Sequence, residues 1–320
     1  MTTPVATIDV GTNTTLLLVA RATPTGEIEV LDERAEITRL GRGIGAGGNL
    51  GAEGLSRTLD ALRAYADVAR KHGARVVAVG TEGLRRAPNA ADFLGPAAEI
   101  LGVPVQVIDG AREAALTFRA AAESFPAEAR AGTLVVVDIG GGSTEIVVAE
   151  RGAVTFRTSL PLGSVRLTEK HVRHDPAQPE ECQAIAREID AALATVPWPT
   201  SASGALLVGV AGTVTSLAAM SLKLATYDPA RVHGFDLSSA ALDAEIARLA
   251  GATQAQRERI VGLDPRRADV ILAGALILAR IARAASAHAV RVSDRGIRWG
   301  LLHEALAAGV AGAPEGGSVA

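Results

Sequence analysis

Hydrophobic and polar positions along the chain switch between two periods. One alternates every second residue, as a half-buried strand does; the other recurs every three or four, as a helix with one apolar face does. Val5–Val10, Thr15–Ala20 and Glu27–Leu40 read as strands, the first two joined by a short turn of Gly, Thr and Asn. Leu55, Leu59, Leu62 and Val68 recur at helical spacing and predict a long helix over Ala52–His72. A strand at Arg75–Val79, a helix opening near Asn89, a strand at Val103–Ile108 and a helix from Ala111 follow. At Thr133 the pattern restarts, with strands at Leu134–Ile139, Thr144–Ala149 and Ala153–Leu160. Helices with strands at Ala205–Val210 and Val290–Ser293 complete it.

The restart is an internal repeat. IDVGTNTTLLLVA, from Ile8, aligns without gaps to VDIGGGSTEIVVA, from Val137. Asp9 then matches Asp138, Gly11 matches Gly140, Thr14 matches Ser143 and Thr15 matches Thr144. Two weaker echoes follow: AVGTEG from Ala78 with GVAGTV from Gly209, and VQVID from Val105 with VRVSD from Val290. The repeat predicts an α/β protein of two related lobes, 1–128 and 129–308, facing each other across a cleft. The last helix, after Asp294, is expected near the lobe junction, and the Gly/Ala-rich tail 309–320 is expected to fray.

The duplicated turn carries the first candidate chemistry. A strand ends in an aspartate, a glycine bend follows, and hydroxyl side chains come next. Glycine lets backbone N–H groups point at an anion, hydroxyls add donors, and the aspartate can hold a divalent metal. An ordinary β-hairpin turn uses the same residue types, but two copies at corresponding positions favour a phosphate seat. Gly11, Thr12, Asn13 and Thr14 form the first candidate, and Gly140, Gly141, Gly142 and Ser143 the second. Leu16 stands opposite Glu145 in the alignment, so only the second turn gains a carboxylate beyond its aspartate. The metal is therefore expected nearer Asp138 and Glu145, with Asp9 reaching it through water.

Glu113 falls in the first turn of a helix that follows a strand. Two readings stand: an acid favoured there by the helix dipole, or a general base for an attacking water. Arg85 can grip phosphate in a forked geometry, although a solvated arginine is the ordinary case. Gly212 and Thr213, in GVAGT, bring a strand end, a glycine and a helix start together as a generic anion seat. Arg166, Arg266, Arg267, Arg295 and Arg298 are further candidate donors.

Composition narrows the classes. With 320 residues, 48% hydrophobic, the chain can build two cores. A net charge of −3 argues against a general nucleic-acid binder. One cysteine, Cys182, cannot form an internal disulfide, and a reducing cytoplasm fits. No apolar run approaches the roughly 20 residues that cross a bilayer, and MTTPVATIDVG lacks the pattern of a signal peptide. Gly43–Gly48 satisfies G-x-G-x-x-G but follows the third strand of a meander, so it reads as a flexible loop over the cleft rather than a dinucleotide fingerprint. No G-x-x-x-x-G-K-[ST] and no G-x-S-x-G is present. His171 and His174 read as a helical surface pair before they read as metal ligands.

The ordered motifs resemble the exopolyphosphatase/guanosine pentaphosphate phosphohydrolase (Ppx/GppA) family, within the two-lobed actin-like and sugar-kinase ATPase superfamily of ribonuclease H-like repeats. DVGTNT, LGRGIGAGGNL, VGTEGLRRAPNAADF, VIDGAREAAL, DIGGGSTE, SLPLGSVRLTE, VAGTVTSLA, VHG, GLDPRRADVI and VSDRGIRWG match family segments in order, from Val5 to Leu306. The resemblance implies Glu113 as the catalytic glutamate, Arg85 on phosphate, Asp138 and Glu145 at a metal and water, and Gly140–Ser143 on phosphate. It implies Mg²⁺ or Mn²⁺, a homodimer, and release of orthophosphate from inorganic polyphosphate, with guanosine pentaphosphate as the alternative substrate. Leu16 stands where the family often has a basic residue, so no phosphate contact is carried over there. Long members hold a further helical region associated with gripping long chains; this sequence ends without it, and processivity is not carried over. Two rivals are a small-molecule kinase of the superfamily, which would need an acceptor pocket, and a nucleotide-binding regulator without turnover, which would not need Glu113, Asp138 and Glu145 together.

Overall fold

The computed structural model describes residues 2–44, 48–199 and 204–311. The middle of the Gly43–Gly48 loop and the end of the tail lie outside the described residues. The first half comprises β1 (Val5–Val10), β2 (Thr15–Ala22), β3 (Ile28–Glu36), α1 (Ala52–Lys71), β4 (Arg75–Gly80), α2 (Glu82–Arg86), α3 (Ala91–Leu101), β5 (Val105–Val107), α4 (Gly110–Ser124) and α5 (Pro126–Ala131). The second opens with β6 (Thr133–Ile139), β7 (Thr144–Glu150), β8 (Ala153–Leu160), α6 (Ser164–His171), α7 (Pro179–Leu193), β9 (Leu206–Val210), α8 (Ala211–Ser221), α9 (Pro229–Val232) and β10 (Asp236–Ser238). It ends with α10 (Ser239–Ala250), α11 (Gln254–Arg257), a 3₁₀ turn (Pro265–Arg267), α12 (Ile271–Ala284), β11 (Ala289–Val292) and α13 (Ile297–Ala311).

The sheets run β3-β2-β1-β4-β5 and β10-β11-β9-β6-β7-β8. Apart from β10, they are one ribonuclease H-like arrangement twice, with β1 matching β6. Register supports the first weak echo: Asp9 lies opposite Val79 and Asp138 opposite Val210, the valines that the alignment pairs. The second echo joins the right strands but is offset by two residues, since Gln106 faces Val79 whereas Arg291 faces Val208. The strand expected over Glu27–Leu40 stops at Glu36. There Thr38 turns in to Thr15, hydroxyl to hydroxyl at 3.0 Å, and Arg39 takes a φ of 53°. The helix expected near Asn89 begins at Ala91, while Asn89 Oδ1 accepts from the Leu50 N–H at 2.8 Å. The three-residue β10 is too short to show a period.

β1 is buried along its whole length, because helices cover both faces of its sheet. On one face Ile8, Leu17 and Val19 meet Leu62, Tyr65 and Phe93 of α1 and α3. On the other, Val5, Leu18 and Ala20 meet Trp299, Leu302 and Ala305 of α13, a helix from the other end of the chain. The exchange is reciprocal: Ala114 and Ala121 of α4 cover Leu134, Val136 and Val147 of the second sheet. Each fully buried Leu in these faces, such as Leu302, contributes roughly 1.5–3 kcal/mol. α4 and α13 touch backbone to backbone, since a Cβ on Gly300 would lie 2.2 Å from the Leu116 carbonyl oxygen. This crossing sends the first turn of α4, with Glu113, into the space between the sheets. Among the described residues no helix is long and apolar enough to cross a membrane.

Candidate active site

Both duplicated turns line one cavity of about 760 Å³ between the sheets. They are closed by the same hydrogen bond, Gly11 N–H to the Thr14 carbonyl at 3.1 Å and Gly140 N–H to the Ser143 carbonyl at 3.0 Å. Leu16 lies opposite Asp9 across β1 and β2, and Glu145 lies opposite Asp138 across β6 and β7. The one difference in charge between the repeats therefore sits at the same place on the two walls.

Five of the carboxylates that line the cavity are buried: Asp9, Glu82, Glu113, Asp138 and Glu145 are 8%, 7%, 3%, 7% and 3% exposed. At that exposure water cannot solvate their charge, and the shifts of four of them record it. Burial, then the neighbouring Asp138 and Glu113, push Asp9 up to about 8, with Arg298 opposing. Burial pushes Glu113 up to about 7 against the pull of Arg85, and Asp138 and Glu82 add to the rise. Asp138 goes up to about 6 through burial, restrained by the Thr117 hydroxyl, which donates to its Oδ2 at 3.0 Å. Glu145 is held well above the usual range by burial and by Glu113 and Asp138. Hydroxyls of Ser143 and Ser159 donate to its Oε1 at 2.9 and 2.6 Å and pull the other way.

Asp9 Oδ1 is buried without a hydrogen-bond partner among the described residues. An orphaned carboxylate oxygen that feels the buried Asp138 and Glu113 carboxylates is a place that a cation would relieve. Among the described residues no group of three His, Cys, Asp or Glu side chains could hold one ion. The donors, all oxygen, suit a small hard cation that takes one or two carboxylates and fills its remaining positions with water and phosphate oxygens, the habit of Mg²⁺.

The arginines divide sharply. Arg85 Nη1 donates to Glu113 Oε1 at 2.7 Å and to the Ile108 carbonyl at 2.6 Å, and Arg85 does not line the cavity. Arg298 is buried and paired with Glu33. Arg295 stacks on Trp299, its guanidinium carbon 4.3 Å from the ring centre. Arg266 pairs outward with Asp264 and Glu36. Arg267 turns inward: it donates to the Thr14 hydroxyl at 3.1 Å, and its guanidinium packs on Gly212. Among the described residues it makes no ion pair, and it lines the cavity where both lobes meet. Beside it Ala211 holds a φ of 69°, a left-handed bend unusual for a residue with a Cβ, which opens the Gly212–Thr213 turn toward the cavity.

A model of the Ppx/GppA phosphatase family matches residues 18–308. The chain belongs to the Ppx/GppA phosphatase family. This family member is 37% identical over 294 residues to exopolyphosphatase 2 of Mycobacterium tuberculosis, covering 88% of this chain and 90% of that protein. It is 30% identical to exopolyphosphatase 1 of the same organism, covering 92% of this chain and 86% of that one. Its fold superposes on a crystal structure of an exopolyphosphatase from Cytophaga hutchinsonii with a TM-score of 0.86, at 26% identity, covering 95% and 98% of the two chains. The Aquifex aeolicus Ppx/GppA member gives 0.80 at 32% identity, covering 96% and 98%.

The structure brings together Asp9, Gly11–Thr14, Glu113, Asp138, Gly140–Ser143, Glu145, Gly212 and Thr213 around this cavity of the family member. It keeps His171 and His174 apart from any shared ion: α6 ends at His171, which faces Glu188, while His174 faces Glu181. Glu82, Thr117 and Ser159 were not singled out by the sequence. Thr117 had a signal, lying one helical turn after Glu113 and so on the same face. Nothing in the sequence separates Arg267 from Arg266; the 3₁₀ turn does that.

Proposed function

We propose that this cleft hydrolyses the terminal phosphoanhydride of inorganic polyphosphate, with Mg²⁺ or Mn²⁺, and releases orthophosphate. The observation that carries the reading is a buried carboxylate, Glu113, delivered by one lobe opposite two phosphate-sized turns and raised to an acidity near neutrality. Gly11 and Gly140 spend their N–H groups closing the turns. The following N–H groups, of Thr12 and Asn13 and of Gly141 and Gly142, take the oxygens of the terminal phosphoryl group. Glu113 accepts the proton of the attacking water. Arg85 holds Glu113 in place, so its effect reaches the phosphate through that carboxylate. Arg267, between Thr14 and Gly212, balances the next phosphate. Asp138 and Glu145, with Asp9 through water, would hold the divalent ion, which would supply charge neutralisation when bound. Positioning and electrostatics suffice because a loose phosphoryl transition state needs little covalent help.

A second reading, guanosine pentaphosphate, has its own support. Leu224, Tyr227, Pro229 and Leu263 form an apolar wall in the same cavity that suits a nucleoside better than a polyanion. Phosphate release with Mg²⁺ from polyphosphates of graded length, beside guanosine pentaphosphate, separates the two. No release from either would remove both. The reading also takes the protein as a cytoplasmic homodimer that handles neither nucleic acid nor membrane; sedimentation at the monomer mass would remove the dimer.

A further inference from the structure

A second cavity, of about 380 Å³, adjoins the first, and Thr12, Glu82, Gly141 and Gly142 line both. Its own wall carries Arg86 from α2 and Arg166, Glu169 and Lys170 from α6; Glu169 accepts from the Gly43 N–H at 2.9 Å, and Lys170 pairs with Glu188 at 2.7 Å. The border between the cavities is a carboxylate. Glu82, 7% exposed, lies so close to the second turn that a Cβ on Gly142 would fall 1.8 Å from its Oε2. Its Oε1 accepts from Arg86 Nη1 at 2.9 Å and from Arg166 Nη1 at 3.5 Å. Guanidiniums from both lobes thus converge on one anionic oxygen.

That arrangement is a seat for an oxyanion, occupied by the protein's own side chain. A polyphosphate carries its charge along its whole length and needs cations beyond the terminal unit. The apolar wall at Leu224 and Tyr227 offers none, whereas the second cavity sets two guanidiniums, Arg86 and Arg166, on one carboxylate oxygen. We propose that an inner phosphate of the substrate displaces the Glu82 carboxylate from Arg86 and Arg166, and that the second cavity is a subsite for the chain behind the terminal phosphate. Glu82 is then a plug that short substrates leave in place and longer ones exchange for a phosphate. The assignment rests on the polyphosphate reading of the main cleft.

The test compares tripolyphosphate with long polyphosphate in the unaltered protein, in Arg166→Ala and in Glu82→Gln. Arg166→Ala should lower kcat/KM on long chains by at least about tenfold, the usual value of one charge-assisted contact, and leave tripolyphosphate turnover unchanged, which also reports an intact fold. Glu82→Gln should act in the opposite direction, lowering KM for long chains because the competing charge is gone. An unchanged ratio of long-chain to short-chain activity in both variants would overturn the subsite. Equal losses on both substrates in Arg166→Ala would assign the seat to released orthophosphate or to folding, and would also overturn it. If the unaltered protein releases no phosphate from any polyphosphate, the reading of the main cleft fails and the subsite falls with it, a result distinct from the other two.

Discussion

Glu113→Gln keeps the size of the side chain and its place on α4 and removes the charge. The parent carboxylate is 3% exposed and 2.7 Å from Arg85 Nη1. Burial lifts it to about 7, so near neutrality it is divided between ionised and protonated forms, the condition in which a general base works best. An amide cannot take the proton of the attacking water. A positioned base supplies about 10²–10⁴-fold, so turnover should fall at least about 100-fold, equivalent to about 2.7 kcal/mol of barrier. The fold should hold, because the amide oxygen still accepts from Arg85 and the repulsion by Asp138 and Glu82 disappears. The assay is phosphate release at saturating substrate and Mg²⁺ across pH, beside thermal unfolding of both proteins. The parent rate should climb with pH as Glu113 loses its proton, at or below about 7 once a cation shares the cleft. The variant should lack that limb. Near-normal turnover with the limb intact, in a folded variant, would take Glu113 out of the reaction.

Asp138→Asn should raise the Mg²⁺ needed for half-maximal activity by at least about tenfold, since even groups behind metal ligands are worth that much; an unchanged titration would count against its role. Arg267→Ala removes the cleft cation at Thr14 and should cost about 10–100-fold in kcat/KM on tripolyphosphate, the value of a charge-assisted contact; a loss confined to long chains would place Arg267 elsewhere on the substrate. The raised carboxyls predict that the metal-free protein loses stability as pH rises. Asp9 and Glu113 bind protons more tightly when folded, about 8 and 7 against ordinary values of 3.8 and 4.5. Their stabilisation is complete below the ordinary values and lost as pH climbs through the folded ones. Urea midpoints in chelator should therefore fall between about pH 5 and pH 8, and Mg²⁺ should restore them at the upper end; a flat or rising profile would contradict the cluster. Gly300→Ala should destabilise by about 1–3 kcal/mol, because its Cβ would meet the α4 backbone at 2.2 Å; a neutral result in urea unfolding would show that the two helices can part.

The sequence by itself determined the duplication and both phosphate turns. These are local: a strand ending in Asp, a glycine bend and a hydroxyl lie within a few residues, so spacing alone carries them, and the same turn-closing hydrogen bond appears in both copies. The alignment also exposed the one asymmetry of charge, Leu16 against Glu145, which the register sets at equivalent places. Glu113 stayed open between a helix-dipole acid and a base, because a residue's neighbours in sequence do not say which lobe it faces. That was decided by the crossing of α4 and α13, which carries Glu113 onto the opposite sheet and buries it in a cavity with Asp9, Glu82, Asp138 and Glu145. The arginines were not legible for the same reason. Arg85, Arg266 and Arg267 look alike in sequence, yet one is held by Glu113, one points outward and one lies in the cleft, and partners far along the chain settle which. Chemistry within a turn is written in adjacent residues; charge balance across the cleft depends on side chains brought together from both lobes, and only the folded chain brings them into range.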